Sequence, residues 1–297
     1  MDIIAKEINL FNDYLLKELS EKSDKISEEL INFIFAKSKR IRSKLIFLFS
    51  KALGFEIDEN ILNLACATEL IHNSTLIHDD IIDNSDLRRD METLNHKFGN
   101  SLSVLYGDIL LSIAMKFLSK CNNINCFKEF SKSLELMCAG EINQHFQYKK
   151  IISVDEYIKK SQNKTAELYR AALSSLCHIK NIAEIKQLEE FAINFGTAFQ
   201  IKDDLTNITG KETNKQSYSD IENGIYTAPV IFLAEKFPDI INLSTEKIKT
   251  LLSENPFAAE KTQELINNFK IKAIDSISFI NENEFKKEIL KMVEEII

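Results

Sequence analysis

Proline is almost missing from this sequence. Three occur in 297 residues, and the first is Pro229. Glycine is scarce too, at seven. Proline removes an amide donor from a helix and glycine weakens one through backbone entropy. A chain that reaches residue 229 before its first proline, and is rich in Leu, Ile, Lys, Glu and Ala, therefore reads as helix throughout. The five cysteines, Cys66, Cys121, Cys126, Cys138 and Cys177, form no Cys-x-x-Cys pair and are odd in number. They read as reduced, mostly buried thiols of a cytoplasmic protein. Positive charge is in deficit: 37 Lys and Arg stand against 45 Asp and Glu, a formal net charge of −8. That balance argues against nonspecific nucleic-acid binding. No signal peptide is expected, because Met1-Asp2 leads into an amphipathic helix. No apolar run approaches the ~20 residues of a membrane span, so no transmembrane segment is expected. Low-complexity tracts, proline- or glycine-rich linkers and fixed-period repeats are not found.

What is present is a globular composition, 44% hydrophobic and 28% charged, on a chain long enough to bury a sizeable core. Ile4, Ile8, Phe11, Leu15 and Leu19 mark one stripe of an amphipathic helix. Further helices are expected over Ser27–Phe35, Leu45–Leu53, Ile61–Asp83 (capped by Asp58 or Asn60), Leu102–Leu118 and Phe127–Tyr148. A helix starting at Ser153 should continue through Ser161–Ile179. Others follow at Ile182–Ile208, Ile225–Lys236, near Ser244–Ser253, and from Pro256 to the end. Asn84–Gly99 reads as polar and irregular. The expected fold is all-α, one domain of long helices over residues 1–297.

The chemistry-bearing stretch is Leu76-Ile77-His78-Asp79-Asp80-Ile81-Ile82-Asp83. Asp79 and Asp83 lie one helical turn apart on one face, and His72 shares it. Crowded carboxylates repel unless a cation sits between them. Magnesium does that while sharing its shell with substrate phosphates, and Arg88 and Arg89 supply forked donors for phosphate oxygens. Alone, the stretch reads equally as a solvated acidic helix end. Lys39-Arg40-Ile41-Arg42 reads either as a solvated basic face or as an anion site reached by Lys39 and Arg42. A second acidic helix end, Asp203-Asp204-x-x-Asn207, closes another long helix about 120 residues on, with Gln200 on its face. If the two ends face each other they bracket metal ions. The separate cations Lys39, Arg42, Arg88, Arg89, Lys164, Lys211 and Lys215 then describe a site for two diphosphates.

At this point the sequence resembles the trans-prenyltransferases, the polyprenyl diphosphate synthases of the isoprenoid-synthase fold. The resemblance runs from about Lys37 to Pro229, with the motifs in family order. Lys39-Arg40-Ile41-Arg42 resembles the basic GKRxR motif. Glu69-Leu70-Ile71-His72 with Leu76–Asp83 resembles the first aspartate-rich helix, and Leu87-Arg88-Arg89 its arginines. Gly107-Asp108, Gly140-Glu141 with Gln144, Lys164-Thr165-Ala166 and Gly196 through Asn207 resemble the later motifs. Lys215, Gly224 and Thr227-Ala228-Pro229 resemble the lysine loop. The resemblance implies a bundle of long helices around a central cavity. It implies magnesium, three ions, held mainly by Asp79, Asp83 and Asp203, with Asp80, Asp204 and Asn207 completing the two motifs. It implies Arg88, Lys164, Thr165, Gln200 and Lys215 on an allylic diphosphate. It also implies Lys39, Arg42, His72 and Arg89 on isopentenyl diphosphate, with Lys164, Thr165 and Gln200 nearest the reacting carbons. A homodimer is implied as well, and peripheral membrane contact would suit release of a greasy product.

The chain departs from the pattern at several places. Lys37 and Ser38 stand for glycines, Ser43 for proline, Asp90 for glycine, Asn207 for the last aspartate, and Ile225 where a lysine is common. Below the first motif the small Ser74 and Thr75 leave room for a product longer than farnesyl. Leu111, Met115 and Leu118 are candidates for the pocket floor, or ordinary core. The expected product is a quinone side-chain precursor of roughly six to eight isoprene units, about C30–C40. Rival expectations are a farnesyl or geranylgeranyl synthase, a terpene cyclase, which needs no second diphosphate site, and a non-catalytic partner subunit, toward which Asn207 points.

Overall fold

The computed structural model describes residues 3–20, 25–36, 38–89, 91–209 and 218–297. In chain order the helices are α1 (Ala5–Ser20), α2 (Lys25–Phe35), α3 (Ile41–Ala52), α4 (Glu59–Ile82), α5 (Leu94–Phe98), α6 (Asn100–Lys120), α7 (Ile124–Phe146) and α8 (Val154–Ser161). After a π-helical turn, Gln162–Ala166, come α9 (Glu167–Lys180), α10 (Ile185–Thr209), α11 (Ser219–Glu222), α12 (Ala228–Ala234), a 3-10 turn at Pro238–Asn242, α13 (Thr245–Glu254), α14 (Phe257–Ser276) and α15 (Glu284–Ile296). The protein is all-α, as its composition implies.

Contacts group the chain into two compact units. Unit 1 holds Met1–Phe130, Ala172–Ala183 and Ile280–Ile289; unit 2 holds Ser131–Ala171, Glu184–Phe279 and Leu290–Ile297.

Unit 1 is built on α4, which packs along α6 and also meets α1, α3 and α5. Asp58 starts α4 by accepting a hydrogen bond from the Ile61 amide at 3.1 Å, satisfying a donor that the first turn leaves open. Lys180 holds the other carboxylate oxygen of Asp58 at 2.5 Å. Residues 61–71 of α4 are buried without interruption. A helix apolar all round belongs inside a fold, and its ends are left to meet solvent. Phe11 meets Phe47 edge-on at 6.0 Å in the same core. The α6 helix is long and apolar enough, by length and composition, to cross a membrane, and a third of its most apolar window is buried.

The stretch after α4 is more ordered than expected. Leu87–Arg88 and Met91–Glu92 pair as a two-residue antiparallel hairpin. Thr93 then caps α5, its hydroxyl accepting from the His96 amide at 3.4 Å and donating to the Ser85 carbonyl at 2.7 Å. Local side-chain bonds of this kind do not show in a hydropathy pattern.

Unit 2 is built on α10, which packs on α14, α12 and the π-helical turn. Its core contains Phe191 stacked on Phe195 at 5.6 Å, with Tyr169 edge-on to Phe195 at 5.3 Å. Ser153 opens α8 with a reciprocal capping box to Glu156. The expected helix through Ser161–Ile179 is broken by the π turn at Gln162–Ala166, a device frequent at functional sites. The expected Ile225–Lys236 helix is only Ala228–Ala234, begun by Thr227 and Pro229.

Candidate active site

In unit 1, α4 ends at Asp83, whose amide bonds back to the Asp79 carbonyl. Asp79 is half-buried and Asp83 exposed, whereas Asp80 is buried. The Arg88 Nε donates to Asp80 Oδ1 at 2.6 Å, and Asp80 Oδ2 is buried with no hydrogen-bond partner. Burial pushes the Asp80 carboxyl above its usual range, against the pull of Arg88. The three carboxylates thus separate by position: Asp80 braces an arginine inward, and Asp79 and Asp83 stand outward one turn apart.

The half-buried His72 lies one helical stretch below. Burial, followed by Arg42, Arg89, Arg88 and Arg40, holds its imidazole well below its ordinary pKa. Arg88 is paired with Asp80 and Arg40 with Glu69, and a neutral ring beside these guanidiniums and those of Arg42 and Arg89 adds no charge of its own, which suits an anionic ligand. Burial and then Arg88 also depress the Arg89 guanidinium.

The basic run before α3 divides into different roles. Arg40 takes a left-handed conformation, φ 50°, at the α3 cap. Its buried guanidinium donates to the Ile34 carbonyl at 2.8 Å and pairs with Glu69 at 3.4 Å. It also lies 5.6 Å from the Phe11 ring and 5.2 Å from the Phe35 ring. Glu69 Oε1 accepts from the Ser43 hydroxyl at 2.6 Å and the Ser43 amide at 3.2 Å. Arg40 is therefore a brace between the α3 loop and α4, while Lys39 is exposed and Arg42 half-buried.

Below the aspartates, the Ser74 hydroxyl donates to the Gly107 carbonyl of α6 at 2.8 Å. A Cβ on Gly107 would run into the imidazole of His78, so this glycine leaves room for that ring. Ser74 is spent in that helix contact rather than left standing in open space. Thr75 is half-buried, its hydroxyl donating to the His72 carbonyl at 2.8 Å. On α6, Leu111 and Met115 are half-buried and Leu118 is buried.

Unit 2 carries the second acidic end. Thr165, on the π turn, donates from Oγ1 to Gln200 Oε1 at 2.5 Å. Gln200 Nε2 donates to Asp204 Oδ1 at 2.7 Å, and the Tyr157 hydroxyl donates to Asp204 Oδ2 at 2.6 Å. Both oxygens of the buried Asp204 are thereby used. Burial raises its carboxyl above the usual range despite those two donors, and raises the Tyr157 phenol as well. Asp203 and Asn207 are half-buried. This chain of bonds couples Thr165 to Gln200: the Gln200 carbonyl oxygen accepts from the Thr165 hydroxyl, whose own lone pairs stay available as acceptors. Lys164 pairs with Glu141 at 2.9 Å, and Gln144 donates to Glu141 at 2.8 Å.

Gly196 brings these groups together. A Cβ there would lie 2.5 Å from Ala166 Cα, so only glycine lets α10 lie against the turn bearing Lys164 and Thr165. Two residues escaped the sequence reading. Tyr157 looks like a core aromatic, 47 positions from the aspartate it serves. Asp220 of α11 is pushed up to about 7 by burial and by Asp204 and Asp203; its only sequence signal is its place in the polar stretch ending at Gly224. Lys211, Lys215 and Asp90 lie outside the described residues.

Among the described residues no three His, Cys, Asp or Glu side chains gather into a self-sufficient metal cluster. The donor set nevertheless fits magnesium, which binds through one or two carboxylates and completes its shell with water and phosphate oxygens. Asp79 with Asp83, and Asp203, are the outward carboxylates of that kind.

A family profile for polyprenyl synthetase matches residues 24–269. The chain is 33% identical over 281 residues to a decaprenyl-diphosphate synthase of Dictyostelium discoideum, covering 89% of this chain and 61% of that protein. The chain thus covers less than two thirds of that relative's length. A prenyl transferase of Cyanophora paradoxa is 31% identical over 306 residues, with 98% and 94% covered. Among solved structures, octaprenyl pyrophosphate synthase from Helicobacter pylori superposes with a TM-score of 0.84 at 28% identity, covering 97% of this chain and 98% of that one.

Proposed function

The chain belongs to the polyprenyl synthetase family, and on that premise we propose that it condenses isopentenyl diphosphate with an allylic diphosphate to lengthen an all-trans polyprenyl chain. The observation that carries the proposal is the sorting of the aspartates. In each motif the second aspartate is buried and engaged, Asp80 by Arg88 and Asp204 by Tyr157 and Gln200, and the first is only half-buried.

Asp79, Asp83 and Asp203, with Asn207 as a neutral oxygen donor, hold magnesium, for which the expected number is three ions. Bound magnesium supplies electrostatic stabilisation of the diphosphate leaving group. Arg88, Lys164 and Lys215 hold the allylic diphosphate. Lys39, Arg42 and Arg89, around the neutral His72, hold isopentenyl diphosphate. The allylic C–O bond breaks, the isopentenyl double bond attacks the cation, and a proton leaves to the departed diphosphate. Thr165 Oγ1, positioned by its bond to Gln200, turns its lone pairs toward the cation, and the apolar helix faces exclude water.

The product is expected at about C30–C40, roughly six to eight isoprene units, consistent with small residues at positions 74 and 75. Because Ser74 is committed to α6, Thr75 is the better position at which to enlarge a side chain and shorten the product. The partly exposed α6 face, with Leu102 at 49% and Leu105 at 56% exposure, is the surface proposed for a homodimer. Five free cysteines suit a cytoplasmic protein that meets membranes only peripherally. A partner-subunit role is the second reading, and Asn207 in place of an acid is what favours it.

The test is isopentenyl diphosphate consumption by the purified chain, with and without magnesium, followed by mass spectrometry of the product. Magnesium-dependent formation of C30–C40 diphosphate is expected. A C15 or C20 end product refutes the chain length, and activity appearing only with a second chain replaces the homodimer by the subunit reading.

A further inference from the structure

Lys160 lies one turn before Lys164, on α8. It is half-buried, yet among the described residues it has no ion-pair or hydrogen-bond partner; its ammonium rests 5.8 Å from the Tyr157 ring. The charges acting on it are those of Asp204, Lys164, Asp220 and Glu141. Of the carboxylates acting on it, Glu141 is engaged with Lys164 and Asp204 with Tyr157 and Gln200, and Asp220 acts on it without forming an ion pair. Lys160 also lines a small cavity with Gln144, Gln147, Lys150, Ile152, Tyr226 and Ile225. Ile225 is the neutral residue where the sequence resemblance leads one to expect lysine, and of the two lysines at this cavity Lys150 is exposed and Lys160 half-buried. A further lysine at 225 would crowd like charges into a space hardly larger than a water molecule.

We propose that Lys160 is a further substrate-binding residue, donating to an oxygen of the allylic diphosphate and supplying from α8 a charge that Ile225 does not supply. The inference rests on the prenyl-transfer reading above. A half-buried ammonium without a carboxylate partner is held at a cost of desolvation, which an anionic ligand removes; the diphosphate that Lys164 attends is one turn away.

The test measures calorimetric binding of the unreactive thiolo analogue of farnesyl diphosphate, in magnesium, to the purified chain. Lys160→Met should raise Kd about tenfold, the scale of a charge-assisted hydrogen bond, and raise KM for the allylic substrate while leaving that for isopentenyl diphosphate alone. Lys160→Arg should keep affinity within about threefold. Lys160→Met with Ile225→Lys should recover it, which a packing role for the lysine stem would not. A Kd within twofold of the parent in Lys160→Met overturns the proposal, as does a double variant no tighter than the single one. If the parent chain neither binds the analogue nor condenses substrates, the prenyl-transfer reading itself fails; if it does both and Lys160→Met is unaffected, only this inference fails.

Discussion

Replacing Gly196 by alanine should damage this protein although alanine is the better helix former. A Cβ at 196 would lie 2.5 Å from Ala166 Cα, 2.8 Å from Ala166 Cβ and 3.1 Å from Tyr169 Cδ2. The first of these is backbone, so no rotamer change relieves it; α10 and the π turn must part by most of an ångström. Overpacking of this kind costs about 1–3 kcal/mol, and a clash with main chain belongs at the upper end. The gain in helix propensity is about 1 kcal/mol, leaving a net loss of about 2 kcal/mol. For a chain of this size that is a fall in Tm of roughly 3 °C. Gly140→Ala is the control. It carries the same propensity gain and faces the same turn, but its Cβ would meet the Asn163 Cβ at 3.2 Å, and it should be close to neutral. Gly196→Ala should also lower turnover on the order of a hundredfold, because displacement of the turn by ~1 Å misplaces Lys164 and the Thr165–Gln200 bond. Differential scanning calorimetry and steady-state kinetics on the two variants decide the matter. If Gly196→Ala melts at or above the parent, or the two alanines shift Tm equally, the close-approach argument is wrong.

Three further outcomes follow from the geometry. Asp79→Ala should cut turnover by several orders of magnitude with unchanged far-UV circular dichroism; near-normal turnover removes Asp79 from the metal site. Arg40→Met should cost about 3 kcal/mol in urea unfolding, since Glu69 is left buried without its cation, and adding Glu69→Gln should recover part of the loss. Burial would raise the Asp58 carboxyl, but Lys180 and the Ile61 amide hold it below its ordinary range. Its stabilisation is therefore complete above the ordinary aspartate pKa and is lost as pH falls through the depressed value. Asp58→Asn should show a shallower loss of stability on acidification below about pH 4 than the parent.

What the sequence disclosed followed physical range. Asp79 and Asp83 were readable because a helix puts i and i+4 on one face, and Asp58 and Ser153 because caps act within three residues. The basic run could not be divided in advance: Lys39, Arg40 and Arg42 are chemically alike, and only the contact with Glu69, 29 positions away, singles out Arg40 as the buried one. Tyr157 was invisible for the same reason, its partner Asp204 being 47 positions distant. Ser74 was read as vacant space because its size was legible and its hydrogen bond to Gly107 was not. The π turn at Gln162–Ala166 has no hydropathy signature, since the apolar residues on either side remain in helical phase.

Glu69, His72, Ser74, Asp79 and Asp83 all ride on α4, and that helix is continuous from its Asp58 cap. It consequently acts as a ruler with a fixed phase. Ten residues separate the carboxylate that clamps the Arg40 loop from the first outward aspartate, about 15 Å of axial rise. One residue inserted between His72 and Asp79 would turn Asp79 about 100° away from the face the two share, with every side chain still present. The site therefore depends on the count of residues along α4 as much as on which residues it carries.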